Sequence, residues 1–187
     1  MVTLTSLWLP VLVSAVLVFV ASSVIHMVLG YHNTDYVKLP KEDDVIAALR
    51  PMNIPPGDYI LPCSGGPAGM KDPVFQEKWK TGPVAVMTVL PPGGNFMGTQ
   101  LGLWFVYTAV IAFFSGYVAS RTIMPGADYL IVFRVVGTTA FMGYVLGLWQ
   151  MTIWYRRSVG TTLKSTFDGL LYACLTAGAF GWLWPAA

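Results

Sequence analysis

Charged residues are scarce in this chain. Of its 187 residues only 11% are Asp, Glu, Lys or Arg, whereas 55% are hydrophobic. Because about a quarter of the residues in a typical soluble domain are charged, this composition argues against a soluble enzyme and indicates a chain largely surrounded by lipid. The formal net charge is +2 and the basic residues do not gather on one face, so nucleic acid is not expected as a partner.

Recognisable catalytic motifs are also missing from the sequence. It contains no GxSxG, no HExxH, no P-loop and no dinucleotide fingerprint, and the glycines of GGPAG lack the strand-to-helix setting of a phosphate loop. The two cysteines, Cys63 and Cys174, are expected at different depths and are not part of a CxxC pair. The sequence therefore predicts no catalytic residue, no metal site and no cofactor, and it leans against an enzyme.

What the chain has in abundance is long apolar runs. An α-helix rises about 1.5 Å per residue, so about 20 apolar residues cross the roughly 30 Å hydrocarbon core of a bilayer. Four runs meet this length: residues 7–29, 101–120, 129–155 and 167–184. No Lys or Arg precedes the first run, which is also longer than the apolar part of a signal peptide, so we expect a retained helix. The predicted fold class is an all-α integral membrane protein with four transmembrane helices in a bundle.

The polar stretch between the first two runs divides the chain into residues 1–29, 30–100 and 101–187. Acidic residues followed by Arg50 and Pro51 predict a short helix after Pro40, and Asp72 with Pro73 predicts the start of a second one that ends at Gly82. The β-prone run 84–90 is predicted to pair with residues 59–61 as a small ribbon. These elements are too few to form a core of their own. We therefore expect them to pack against the membrane helices or a partner subunit.

Small residues recur every fourth position in three of the apolar runs. Such ridges let helix backbones approach closely in lipid, which is a more usual role than lining a substrate path. The predicted packing residues are Thr108, Ala112, Gly116 and Ser120 in the second run, Thr139, Gly143 and Gly147 in the third, and Gly169, Ala173, Ala177 and Gly181 in the fourth.

The distribution of basic residues predicts the orientation. Arg156, Arg157 and Lys164 lie between the third and fourth runs, so the positive-inside rule places this loop in the cytoplasm. With four spans, the long polar loop is then also cytoplasmic and both termini are outside. The general character of the chain favours a bacterial inner membrane. Ser165 and Asp168 match an S-x-x-D capping box, which is the expected role of Asp168.

Two side chains in the apolar runs are candidates for a function. Arg134 lies about six residues into the third run, where a cation either reaches the headgroups or contacts a ligand, a lipid phosphate or Asp128. His26 is a minor candidate for an axial ligand of a haem or pigment, although a hydrogen bond to Ser22 is the more usual role of such a histidine. Membrane haems generally need two histidines at matched depth, and quinone sites often place a histidine beside an acid; neither arrangement is apparent in the sequence.

These observations favour a non-catalytic accessory or assembly subunit of a larger membrane complex, with the bilayer and other membrane subunits, or a second copy, as partners. The first alternative is a small ligand-binding bundle or carrier that uses Arg134. A pigment- or haem-associated subunit that uses His26 is a minor alternative.

Overall fold

The structure is a computed structural model that describes residues 2–93 and 97–186. It is mainly helical, with one two-stranded sheet. The described residues form two compact units, one made of residues 2–36 and 97–186 and the other of residues 37–93. We call them the bundle unit and the loop unit.

The bundle unit consists of the long helices and the turns that join them. After a 3₁₀ turn at Leu4–Leu7, the helices are α1 (Trp8–Met27), α4 (Met97–Thr122), α5 (Tyr129–Val145), α6 (Trp149–Tyr155) and α7 (Val159–Trp182). A 3₁₀ turn at Leu146–Leu148 joins α5 to α6. Near this break the Tyr107 hydroxyl donates a hydrogen bond to the Gly143 carbonyl at 3.0 Å, which supplies a donor to the backbone where the helix is interrupted.

Three segments of the bundle unit are long and apolar enough to cross a membrane: Leu4–Met27, Met97–Thr122 and Tyr129–Tyr155. They match the first three predicted spans, except that the first helix ends at Met27, two residues before the predicted end. The fourth predicted span, 167–184, is different, because its helix begins eight residues earlier, at Val159, and carries Lys164 and Asp168 in its first half. A span at this position stays a prediction.

The four long helices pack in a ring in which α4 lies between α1 and α5, and α7 lies between α5 and α1. One hydrophobic cluster surrounds Leu7, Val136 and Phe180, and a second surrounds Val18, Ala140 and Tyr172. After the end of α7, the Gly126 amide donates to the Pro185 carbonyl and the Trp184 ring nitrogen donates to the Met124 carbonyl. These bonds tie the chain after α7 to the turn between α4 and α5.

Two of the small-residue ridges face other helices. Thr108, Ala112, Gly116 and Ser120 are all buried on α4, and a Cβ on Gly116 would lie 2.8 Å from the Phe180 ring. On α7, Gly169, Ala173 and Ala177 are buried and Gly181 is half-buried. The third ridge is mixed: Thr139 is half-buried and Gly143 packs near Ile111, but Gly147 is exposed with nothing within 4 Å of a Cβ position. The buried face of α5 is instead Val132, Val136, Ala140 and Tyr144.

The loop unit has the short elements that the sequence predicts. Helix α2 is Glu42–Leu49, and α3 is Pro73–Thr81 with the Asp72 carboxylate accepting from the Val74 amide at 2.9 Å. Strands β1 (Gly57–Leu61) and β2 (Ala85–Val89) pair antiparallel, with Ile60 opposite Val86 and Tyr59 opposite Met87. The predicted ribbon and both short helices are confirmed.

Candidate functional site

Six polar side chains of the bundle unit come together where α1 ends. Helix α1 finishes at Met27, and Gly30 has φ +65°, a left-handed conformation that glycine adopts without strain. The chain then forms a 3₁₀ turn, Tyr31–Thr34, against the first half of α7. We call the resulting group of side chains the His–Asp cluster; its members are His26, Tyr31, His32, Asp35, Lys164 and Asp168.

His32 lies at the centre of the cluster, between two carboxylates. Its Nε2 is 2.8 Å from an Asp168 oxygen and its Nδ1 is 2.7 Å from an Asp35 oxygen. The side chains of Asp35 and Asp168 are only 9% and 4% exposed. Ionised carboxylates only accept hydrogen bonds, so an imidazolium that donates from both nitrogens satisfies both acids at once.

Lys164 binds the Asp35 oxygen that does not contact His32. Its ammonium donates to the second Asp35 oxygen at 2.9 Å, to the Tyr31 carbonyl at 2.7 Å and to the Thr34 hydroxyl at 2.8 Å. All three ammonium donors therefore have partners. Burial raises the pKa of Asp35, but the hydrogen bonds and charges of His32 and Lys164 outweigh it, so that this pKa lies below its ordinary value.

Asp168 joins the turn to α7 through its other oxygen, which accepts a hydrogen bond from the Tyr31 hydroxyl. Helix α7 begins at Val159 with Ser158 at its N-cap, so Asp168 lies inside the helix, in its third turn. The Ser165 hydroxyl bonds the Thr161 carbonyl one turn earlier. The predicted Ser165–Asp168 capping box is therefore wrong; Asp168 faces the cluster instead of the end of the helix.

His26 covers the outer side of the cluster. Its ring stacks on the His32 ring with the centroids 4.4 Å apart and the planes 4° from parallel. Its Nδ1 is 2.9 Å from the Ser22 carbonyl oxygen, as expected for a histidine one turn after Ser22. A carbonyl oxygen only accepts, so Nδ1 carries the hydrogen, and in the neutral imidazole Nε2 is the nitrogen with a free lone pair.

A cavity of about 190 Å³ opens beside His26 and Asp168. Aromatic side chains from three helices form much of its wall: Trp104, Tyr107, Tyr144 and Tyr172. Tyr144 and Tyr172 are 5% and 4% exposed, and neither hydroxyl has a hydrogen-bond partner within the described part of the chain. Because an unpaired buried hydroxyl costs about 1–3 kcal/mol, two of them beside one cavity indicate a place for a polar ligand or water.

Arg134 lies elsewhere, on the exposed side of α5. It lines a shallow groove of about 330 Å³ together with Gly137, Leu170 and Cys174. Asp128 precedes α5 and its carboxylate makes no capping bond. Among the residues that the structure describes, Arg134 and Asp128 form no ion pair, so the predicted contact between them is not seen.

The sequence did contain indications of the His–Asp cluster. Lys164 and Asp168 are four residues apart and therefore share one helix face. The positive-inside rule placed both the chain after His26 and the chain before Asp168 on the same side of the membrane. Together these two observations allow His32 to lie near Asp168, but they do not specify the pair.

No protein family model, curated protein or solved structure matches this chain.

Proposed function

We propose that this protein is a non-catalytic accessory or assembly subunit of a larger complex in a bacterial inner membrane. In this proposal α7 is the fourth span, both termini are outside and the loop unit is cytoplasmic. Its role is to present the loop unit to another subunit while the bundle unit anchors it in the bilayer.

The lack of a core in the loop unit carries the proposal. Pro62 is the one buried residue among residues 37–93 of the structure, although helices α2 and α3 and the ribbon are all formed. Its large apolar side chains stay uncovered; Trp79 is 48% exposed, Leu90 68% and Met70 60%. Defined secondary structure without buried apolar area is poorly stabilised by itself, so a partner surface is expected to cover these side chains.

The exposed face of the ribbon supports a partner-binding surface at this position. Ile60 and Val86 are directly opposite each other on the same face, and both are exposed, at 44% and 49%. On the same face the Thr88 hydroxyl donates to the Asp58 carboxylate at 2.6 Å. An exposed apolar pair beside a polar pair is typical of the centre and rim of a protein interface.

Gentle detergent extraction from native membranes tests the proposal. We expect the wild-type chain to be recovered with a fixed set of other membrane subunits. The double substitution Ile60→Thr and Val86→Thr keeps β-branched residues in the ribbon but removes its apolar face, and should release those subunits. Asp58→Asn on the same face is the control and should retain them. Recovery of the wild-type chain as a single monodisperse species would contradict the proposal.

The groove at Arg134 favours a second candidate, a small ligand-binding bundle or carrier. Arg134 is the one charged side chain among the residues that line it, and a cation in an apolar groove suits an anionic ligand. If this candidate is right, Arg134→Gln should abolish anion binding or transport while the protein still inserts. Unchanged binding or transport would exclude it.

A further inference from the structure

We propose that the His–Asp cluster binds one divalent transition-metal cation, with the Nε2 atoms of His26 and His32 and a carboxylate oxygen of Asp168 as ligands. Two imidazoles and a carboxylate are a common ligand set for first-row metals such as zinc and ferrous iron. The proposal does not depend on the function proposed above.

The three ligand groups already lie close together. One ligand atom from each lies within 4.8 Å of the others. Bonds of about 2.0–2.2 Å to a tetrahedral metal place ligand atoms about 3.4 Å apart, so the site needs to contract by little more than an ångström. The stacked rings keep their lone pairs in parallel planes, so the His26 ring has to tilt toward the metal. It is free to do so because it is exposed.

The groups around the ligands are those that orient metal-binding histidines. A histidine ligand almost always donates its other ring hydrogen to a carbonyl or a carboxylate. Here His26 Nδ1 donates to the Ser22 carbonyl, and His32 Nδ1 faces the Asp35 carboxylate. Lys164 in turn fixes Asp35, and the Tyr31 hydroxyl holds the second oxygen of Asp168. Both histidines are thus oriented with Nε2 as the ligand atom.

Metal binding replaces the hydrogen bond between His32 and Asp168. His32 Nε2 and an Asp168 oxygen are 2.8 Å apart, a distance that one shared hydrogen bridges. When a metal takes its place, that proton passes to water and the imidazole becomes a neutral ligand. Asp168 then coordinates the metal through the oxygen that faced His32 Nε2, and the Asp35 contact with His32 Nδ1 is unchanged.

The neighbouring cavity accounts for the remaining coordination positions. Three protein ligands leave at least one position for water or a small anion. His26 and Asp168 line the same cavity as Tyr144 and Tyr172, whose hydroxyls are unpaired in the described part of the chain. A metal-bound water in this cavity gives these hydroxyls a hydrogen-bond partner.

His26 distinguishes the metal site from a purely structural ion-pair network. His32, Asp35, Lys164 and Asp168 are linked to one another by short polar contacts without any metal. Among the described residues, His26 adds only a ring stack and a bond to its own helix backbone. The network therefore does not require His26, whereas the metal site does.

The experiment is a Co²⁺ titration of the full-length protein, purified with a tag that contains no histidine and treated with a chelator. We expect one Co²⁺ per chain and the visible absorption of cobalt bound to nitrogen and oxygen ligands. Because His26 and His32 are the only two histidines in the chain, pulsed electron paramagnetic resonance of bound Cu²⁺ reports imidazole nitrogen from this cluster alone. Nitrogen coupling from both imidazoles should be detected.

Variants assign the ligands. His26→Gln should weaken Co²⁺ binding by at least about 100-fold while thermal stability stays near that of wild type, and Asp35→Asn should weaken it by about 10–100-fold. Ser23→Ala, on the same end of α1, should leave binding unchanged. A Cys63→Ser, Cys174→Ser double variant should also bind normally, because neither thiol is a ligand. Failure of the wild-type protein to bind one Co²⁺, or His26→Gln binding like wild type, would overturn the proposal.

Discussion

The bundle unit and the loop unit use their side chains in opposite ways. The bundle unit buries charge: Asp35, Lys164 and Asp168 are mostly covered and are paired with one another and with His32. The loop unit contains many polar residues, yet it leaves apolar side chains such as Trp79 and Leu90 exposed to solvent. In a bundle surrounded by lipid, specificity comes from polar contacts and close packing, since apolar burial does little to distinguish helix from lipid. The loop unit has local polar contacts but little close packing, which is why the proposed function gives it a second surface to pack against.

The largest expected effect follows from breaking the His–Asp cluster. Asp168→Ala leaves His32 and the Tyr31 hydroxyl without their buried partner, so the bundle unit should lose on the order of 3 kcal/mol of stability. The measurement is the unfolding transition in detergent. A matched substitution of an exposed acid, Glu77→Ala on α3, should leave that transition unchanged. Equal stability of Asp168→Ala and wild type would show that the cluster does not hold the bundle unit together.

Close helix packing is tested at Gly169. A Cβ there would lie 2.4 Å from Val145 Cγ2 and 3.3 Å from Tyr144 Cβ, so Gly169→Val should destabilise the bundle unit by about 1–3 kcal/mol. Gly102→Ala on α4 is the control, because nothing lies within 4 Å of its Cβ position. It should be neutral or slightly stabilising, since alanine favours a helix. The two variants are compared by thermal unfolding; a Gly169→Val protein as stable as the control would refute the close approach of α5 and α7.

A destabilising substitution in the loop unit should affect only the element that carries it, whereas one in the bundle unit should affect the unfolding of the whole unit. Asp72→Ala removes the side-chain cap of α3, which is worth about 1 kcal/mol. Limited proteolysis should then cut within α3 more rapidly, while the unfolding temperature of the bundle unit stays the same. Asp72→Asn retains the capping ability and should behave like wild type. A shift in bundle unfolding on Asp72→Ala would show that the two units are energetically coupled.

The smallest expected effect is the pH dependence caused by Asp35. Its pKa is lowered in the folded protein, so its contribution to stability is present above its ordinary pKa of 3.8 and is lost as the pH falls through the folded pKa. Wild type should therefore be more stable than Asp35→Asn at neutral pH, and the difference should shrink below about pH 4. Unfolding midpoints measured across this range test the sign. A difference that grows on acidification would contradict the assignment.

The features that the sequence predicted are those that depend on neighbours along the chain. Hydropathy alone located the first three long segments, and local chemistry such as Asp72 with Pro73 located the short helices. The start of α7 was missed because Thr161, Thr162 and Lys164 interrupt the apolar run, although all three are inside one continuous helix. Their polarity reflects contacts across the fold: the Thr162 hydroxyl lies 2.5 Å from that of Thr152, and Lys164 binds the turn after α1.

The candidate site depended on a contact that no local pattern contains. His32 and Asp168 are separated by 136 residues. In the sequence His26 therefore looked like an isolated histidine and Asp168 like a helix cap. Arg134, which is conspicuous in the sequence because it is charged within an apolar run, lies on an exposed face away from the cluster. The side chains with the most polar contacts lie at the ends of apolar runs, where hydropathy gives the least information.

The three hydrogen bonds of Lys164 have a mechanical consequence. They attach α7 to Tyr31, Thr34 and Asp35, and the loop unit begins two residues after Asp35. A pulling force on the loop unit is therefore resisted at Asp35 by α7, before it can unwind the end of α1. The cluster would therefore protect the end of α1 from unwinding, and a partner that moves the loop unit would apply its force to α7 first.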